Sequence, residues 1–234
     1  MAASVYDNFL KVNERIEQAC RKSGRDISEI KLVAVTKSVA AKQVKEAVEA
    51  GCRLFGENYV QESQEKIKKI KLPSVRWHFI GHLQKNKAKD VVGLFDMIHS
   101  VDKLGLAKEL NKRTDEPLKV LMQVNVGGEK SKGGVSIAEA PELAREIGKL
   151  KKIVLKGLMA IPPYQEDPEM SRPYYTTIRR VAERINREQI PGVVLSELSM
   201  GMSHDFQVAI EEGATFIRVG TALFGERPPK TKEK

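Results

Sequence analysis

Apolar residues fall into short runs separated by charged, amphipathic stretches, and this alternation persists along the chain. Val5, Phe9, Val12, Ile16 and Ala19 recur at helical spacing ahead of Gly24, which predicts an amphipathic leading helix stopped by glycine. Apolar runs then predict strands at 32–35, 53–55, 75–80, 97–99, 118–124, 153–159, 193–198 and 215–219. Helical patterns intervene, among them 41–50, 103–113, 137–150 and 168–187. Strands that alternate with helices form parallel sheets, because parallel neighbours need a crossover. Eight such units predict a closed (β/α)8 barrel of the TIM type with an extra N-terminal helix; an open doubly wound sheet is the alternative. No internal linker rich in Pro, Gly or Ser interrupts the pattern. Residues 1–227 are therefore expected to form one domain, and 228–234 a flexible basic tail.

Composition narrows the partners. A net charge of +9 admits an anionic partner, but the excess is spread through segments such as Lys66-Ile67-Lys68-Lys69 and Lys149-Leu150-Lys151-Lys152. These read as solvated helix faces. No basic stripe interleaved with aromatics appears, so no nucleic-acid partner is expected, whereas a small phosphate ester suits the charge. Cys20 and Cys52 lack disulfide or ligand spacing. The histidines His78, His82, His99 and His204 show no zinc-type spacing, so no metal is expected. No secretory leader and no membrane-length apolar run is evident, and the expectation is a cytoplasmic protein without membrane contact.

In a parallel barrel, chemistry gathers at the C-terminal ends of the strands. Lys37 ends the first apolar run, either as an amine desolvated for Schiff-base formation or as a rim lysine reaching water. Two small-residue loops follow the last two strands, Ser199-Met-Gly-Met-Ser203 and Arg218-Val-Gly-Thr221. Gly201 and Gly220 are expected to let backbone approach a ligand, and Ser203 and Thr221 to offer hydroxyls to an anion. Arg218 either donates to a ring nitrogen or forms an ion pair at the mouth. Asn58 is a hydrogen-bonding group at the mouth or a helix cap, His82 a mouth residue or a structural one. Tyr164 reads as a ring packed on Pro162 and Pro163 rather than as an acid, and residues 125–134 as a mobile glycine-rich loop, solvated or closing over the mouth.

The segments Leu32-Val-Ala-Val-Thr-Lys37, Phe55-Gly-Glu-Asn-Tyr59, Trp77-His-Phe-Ile-Gly-His-Leu-Gln84, Ser199-Met-Gly-Met-Ser203 and Arg218-Val-Gly-Thr-Ala-Leu-Phe-Gly225 together resemble the pyridoxal phosphate homeostasis protein family, itself similar to the N-terminal barrel of alanine racemase. The resemblance runs from the leading helix to Gly225. It implies a fold type III barrel in which Lys37 carries pyridoxal 5′-phosphate as a Schiff base and Arg218 faces the pyridine nitrogen. It further implies that Ser203, Gly220 and Thr221 hold the phosphate, with Ser199, Met200 and Gly201 in the same motif and Asn58 and His82 at the mouth. The implied role is intracellular vitamin B6 homeostasis and cofactor delivery to apoenzymes, without catalytic residues. A low-activity racemase dependent on the same cofactor, or a Schiff-base aldolase without it, is the enzymatic alternative. An arginine at the ring nitrogen disfavours a pyridinium and so weakens the electron sink. The racemase C-terminal domain, which supplies the second acid/base group, has no counterpart here, so a monomer with negligible racemisation is expected.

Overall fold

The computed structural model describes residues 4–70, 72–129 and 132–226. In chain order the elements are α1 (Val5–Ser23), β1 (Lys31–Val35), α2 (Ala41–Ala50), β2 (Leu54–Glu57), α3 (Val60–Lys69), β3 (Arg76–Phe79), α4 (Ala88–Val91), β4 (Met97–Val101) and α5 (Leu104–Arg113). They continue with β5 (Leu118–Asn125), β6 (Val135–Ser136), α6 (Ala140–Gly148), β7 (Ile153–Met159), α7 (Arg172–Arg187), β8 (Glu197–Met202), α8 (Phe206–Glu211), β9 (Phe216–Val219) and α9 (Thr221–Phe224).

Helix α1 begins and ends for local reasons. Ser4 Oγ accepts from the Asp7 amide while the Asp7 carboxylate accepts from the Ser4 amide, a reciprocal cap that satisfies otherwise free donors. Gly24 takes a left-handed conformation at φ 66°, which only glycine adopts without strain. The buried stripe is Val5, Val12, Ile16, Ala19 and Cys20. It seats the helix beside α8 and α9, where Asn8 Nδ2 donates to the Leu223 carbonyl at 3.0 Å and the Arg15 guanidinium lies 4.3 Å from the Phe206 ring centre.

Strands β1 to β5 and β7 to β9 are all parallel, and β1 pairs with β9 as well as β2, so the sheet closes as an eight-stranded barrel. The open-sheet alternative is excluded. Strand side chains alternate between lumen and helix layer. Val33, Met97, Leu121, Met159 and Phe216 form a separate apolar cluster inside the barrel. Their neighbours Ala34, Ile98, Val120, Met122 and Ile217 pack outward into the larger core shared with the helices. Each large side chain so buried contributes about 1.5–3 kcal/mol relative to exposure.

The structure departs from expectation at one strand with consequences for the site. The apolar run 193–198 predicted a strand, but β8 starts four residues later and extends through Met202. Asn186 explains the delay. Its side chain donates to the Leu195 carbonyl at 2.8 Å and accepts from the Leu195 amide at 2.9 Å, so that backbone is satisfied without a sheet neighbour. The predicted helix at 168–187 opens as a 3-10 turn over Pro168–Ser171 before α7. The two-residue β6 was not expected; it pairs with the end of β5. Within 125–134, Asn125 Nδ2 donates to the Glu129 carbonyl and Gln123 Nε2 to the Gly133 carbonyl, which pins the described parts of that loop. Lys130 in this loop lies outside the described residues, as do Arg227 and the predicted tail at 228–234. No helix among the described residues is long and apolar enough to cross a membrane.

Candidate functional site

Period-two alternation carries Val33 and Val35 into the lumen, and Lys37, two residues beyond, follows the same side at the mouth. A cavity of about 270 Å3 lies there. It collects Lys37, Asn58, Ser203, Arg218, Gly220 and Thr221 from four strand ends, floored by apolar groups such as Val35 and Ile161. Larger clefts exist further out, one of about 680 Å3 running from His82 past Lys103 to Glu109. The smaller cavity is the better site candidate because amine, guanidinium, hydroxyl and amide groups converge on it.

At one end of the cavity, Ser203 Oγ accepts from the Gly220 amide at 3.1 Å and from the Ala222 amide at 3.2 Å. Two backbone donors at the start of α9 thus point at one oxygen, with the Thr221 residue between them. Asp205 fixes the approach to this loop. Its Oδ1 accepts from the Met202 amide at 2.8 Å and its Oδ2 from the Tyr175 hydroxyl at 2.6 Å. Burial and the nearby Asp205 charge push the Tyr175 hydroxyl far up, so it stays a donor.

Arg218 closes the other side. Its side chain is buried, and its hydrogen bonds go to neutral oxygens: Nη1 donates to Ser199 Oγ at 2.6 Å and Nη2 to the Ala160 carbonyl at 2.8 Å. Burial pulls the guanidinium down to about 10, with Tyr175 and Asp205 opposing, so it remains charged at neutral pH. From Ser199 a chain runs across the lumen, Ser199 Oγ to His99 Nδ1 at 2.9 Å and His99 Nε2 to His78 Nδ1 at 2.9 Å. Burial, with Lys119 and Lys31 adding to it, holds His78 down to about 3. Burial, His78 and Arg218 hold His99 well below its ordinary value. Both rings are therefore neutral. The chain is satisfied with protons running either way, Ser199 to His99 to His78 or the reverse, because Ser199 Oγ has a second lone pair beside the one facing Arg218.

Asn58 supplies the most pointed signal of a ligand. Its Oδ1 is buried without a hydrogen-bond partner, in the wall of the Lys37 cavity. Asn58 does not cap α3; Tyr59 takes that position. The neighbouring Gly81 is forced, because a Cβ there would lie 2.3 Å from the Asn58 carbonyl oxygen.

Four expected site residues fall elsewhere. Ser199 lies within β8 and touches Arg218 rather than lining the cavity. Met200 packs outward into the helix-facing core, as the alternation of β8 demands. Gly201, at φ 86°, serves the packing of α8: a Cβ would sit 2.5 Å from Ala209 Cβ. His82 lines an adjoining cleft of about 440 Å3 that shares Asn58, Ile80 and Ile161 with the first cavity. Lys66, read as part of a solvated basic run, is instead buried against Glu57. Tyr164, expected at the rim, is exposed there; its ring centre lies 5.5 Å from that of His204 in a tilted pair, and both line the Lys37 cavity. The lumen histidines were legible only in part: His78 and His99 share strand parity with lumen positions, but nothing in the sequence links them to Ser199.

Comparison with known proteins agrees with this architecture. The family model for the alanine racemase N-terminal domain matches residues 11–228. The pyridoxal phosphate homeostasis protein of Aquifex aeolicus (strain VF5) is 46% identical over 224 residues, covering 94% of this chain and 97% of the relative. That of Escherichia coli (strain K12) is 40% identical over 230 residues, covering 94% and 95%. Among solved structures, PipY of Synechococcus elongatus PCC7942 with PLP bound superposes at a TM-score of 0.79 with 36% identity, covering 90% of this chain and 100% of that one.

Proposed function

The chain belongs to the pyridoxal phosphate homeostasis protein family, built on the alanine racemase N-terminal domain, and from that premise we propose that it binds pyridoxal 5′-phosphate in the Lys37 cavity, holds it as a Schiff base on Lys37, and takes part in intracellular vitamin B6 homeostasis by delivering it to apoenzymes. The donor set suits that cofactor. The hydroxyls of Ser203 and Thr221 gather with the amides of Gly220 and Ala222, which donate to Ser203 Oγ until an anion takes that place, and this supports a phosphate subsite there. Arg218 stands ready to donate to an uncharged ring nitrogen. Asn58 Oδ1 is left wanting a donor. When bound, the cofactor supplies an aldehyde that a primary amine captures with loss of water.

The single observation carrying this reading is the convergence on one cavity of the Lys37 amine, the Ser203–Gly220 anion cradle and a guanidinium bonded only to neutral groups in its wall. Neutral His99 bonds Ser199, the acceptor of Arg218, and so puts no second charge beside the guanidinium. Met200, Ser199 and Gly201 act behind the site by shaping β8. We infer further that residues 1–227 work as one cytoplasmic, monomeric unit, which light scattering at micromolar concentration checks. Titration with pyridoxal 5′-phosphate tests the main reading: a visible absorption band should develop in the wild-type protein and be lost in Lys37→Ala with its fold intact by circular dichroism. A wild-type protein that stays colourless would overturn it.

A further inference from the structure

An amine on a flexible stem is useful only if the backbone beneath it is fixed. The residues on either side of Lys37 are held by three side chains from β2 and α3, on the outer face of the barrel wall. The Thr36 hydroxyl donates to Glu57 Oε1 at 2.6 Å, and the Thr36 carbonyl accepts from the Lys66 ammonium. On the other side, the Ser38 amide donates to Glu62 Oε1 at 2.6 Å. Lys66 ties the set together, 2.8 Å from Glu57 Oε1 and 2.7 Å from Glu62 Oε1. Ser38 itself has φ 57°, a left-handed conformation that a non-glycine residue keeps only when its surroundings hold it.

These charges are expensive to place there. The Glu57 side chain is 0% exposed and that of Lys66 8%, and desolvating such groups offsets most of their mutual attraction. Apolar side chains would fill the same volume with no such cost. What they could not do is hydrogen-bond the Thr36 hydroxyl, the Thr36 carbonyl and the Ser38 amide at once. None of the three charged residues lines the cavity, so none meets a ligand directly.

We propose that Lys66, Glu57 and Glu62 are positioning residues for Lys37, locking the turn 36–38 so that its amine is presented to the cavity. The inference rests on Lys37 being the cofactor-bearing amine. Two probes separate the roles. Pyridoxine 5′-phosphate has the ring and phosphate but an alcohol in place of the aldehyde, so its affinity reports the cavity apart from Lys37. The rate at which the visible band grows after mixing with pyridoxal 5′-phosphate reports the amine.

In Lys66→Met the band should grow about ten-fold more slowly while pyridoxine 5′-phosphate affinity stays within about two-fold. If Lys66→Met does not fold, Glu62→Ala decides, because Glu62 is partly exposed and its loss strands no buried carboxylate; a slowing of roughly three-fold or more is expected. Glu62→Gln retains an acceptor for the Ser38 amide and should restore most of the rate. Variants that develop the band at the wild-type rate, or that lose rate and pyridoxine 5′-phosphate affinity together, would overturn the proposal. A wild-type protein with no band would instead sink the Lys37 reading itself, and this inference with it.

Discussion

Two buried cations flank the same barrel mouth, and they are treated in opposite ways. Lys66, outside the wall, meets two carboxylates and a carbonyl. Arg218, inside the lumen, hydrogen-bonds a serine hydroxyl and a backbone carbonyl, with neutral histidines behind it and Asp205 acting on it without a direct ion pair among the described residues. A cation neutralised within the fold has nothing left to offer a ligand, so its work is to hold structure. One that the fold leaves electrostatically open, at the edge of a cavity, is poised for what enters there. Burial alone does not distinguish the two; the charge of the partner does.

The sharpest way to break this contrast is to remove each cation in turn. Lys66→Met leaves Glu57 buried without its counter-charge and should cost about 3–5 kcal/mol of unfolding free energy in urea titrations. Much of that should return in Lys66→Met/Glu57→Met, where both charges are gone. Arg218→Met should do the reverse. It should cost less in the ligand-free protein, about 1–3 kcal/mol for the hydrogen bonds to Ser199 and Ala160, because Asp205 acts on it without a direct ion pair among the described residues. Its affinity for pyridoxal 5′-phosphate should nevertheless fall about 10- to 100-fold, the worth of a hydrogen bond to a charged group. Equal stability losses in the two single variants would erase the distinction.

Acid sharpens it further. The folded protein keeps His78 and His99 neutral below their ordinary range, whereas the unfolded chain protonates them near pH 6.5. Their contribution to stability is therefore fully present above about pH 6.5 and is lost as pH falls toward the depressed folded values. Between about pH 6.5 and 5.5, each histidine should add about 1 kcal/mol to the fall. His99→Gln should flatten that fall by one histidine's share. At the anion cradle a smaller change is expected. Thr221→Val should weaken pyridoxal 5′-phosphate by roughly 1 kcal/mol in a fluorescence titration, one hydrogen bond's worth, with stability unaltered.

How far the sequence reveals this molecule depends on whether a residue's partner is local. Strand β7 sits at its predicted bounds, and β1 and β5 differ from theirs only at the edges, because an apolar run between turn signals is a local property. Lys37 was legible for the same reason: it directly extends such a run. The start of β8 was not legible, since it depends on a side chain in α7 reaching back to Leu195. Gly201 looked like a ligand-approach glycine, but the crowding that requires it comes from α8, visible only once the helix is docked. The pairing of Glu57 in β2 with Lys66 in α3 was hidden because Lys66 read with Lys68 and Lys69 as one solvated basic run. Only the docking of α3 against β1 and β2 selects which of them is buried.

The central claim concerns one nitrogen atom. Protein loaded with pyridoxal 5′-phosphate, reduced with borohydride, digested and mapped by mass spectrometry should carry a phosphopyridoxyl group on the peptide containing Lys37. The adduct on any other lysine, or no adduct at all from protein that binds the cofactor, would contradict the account.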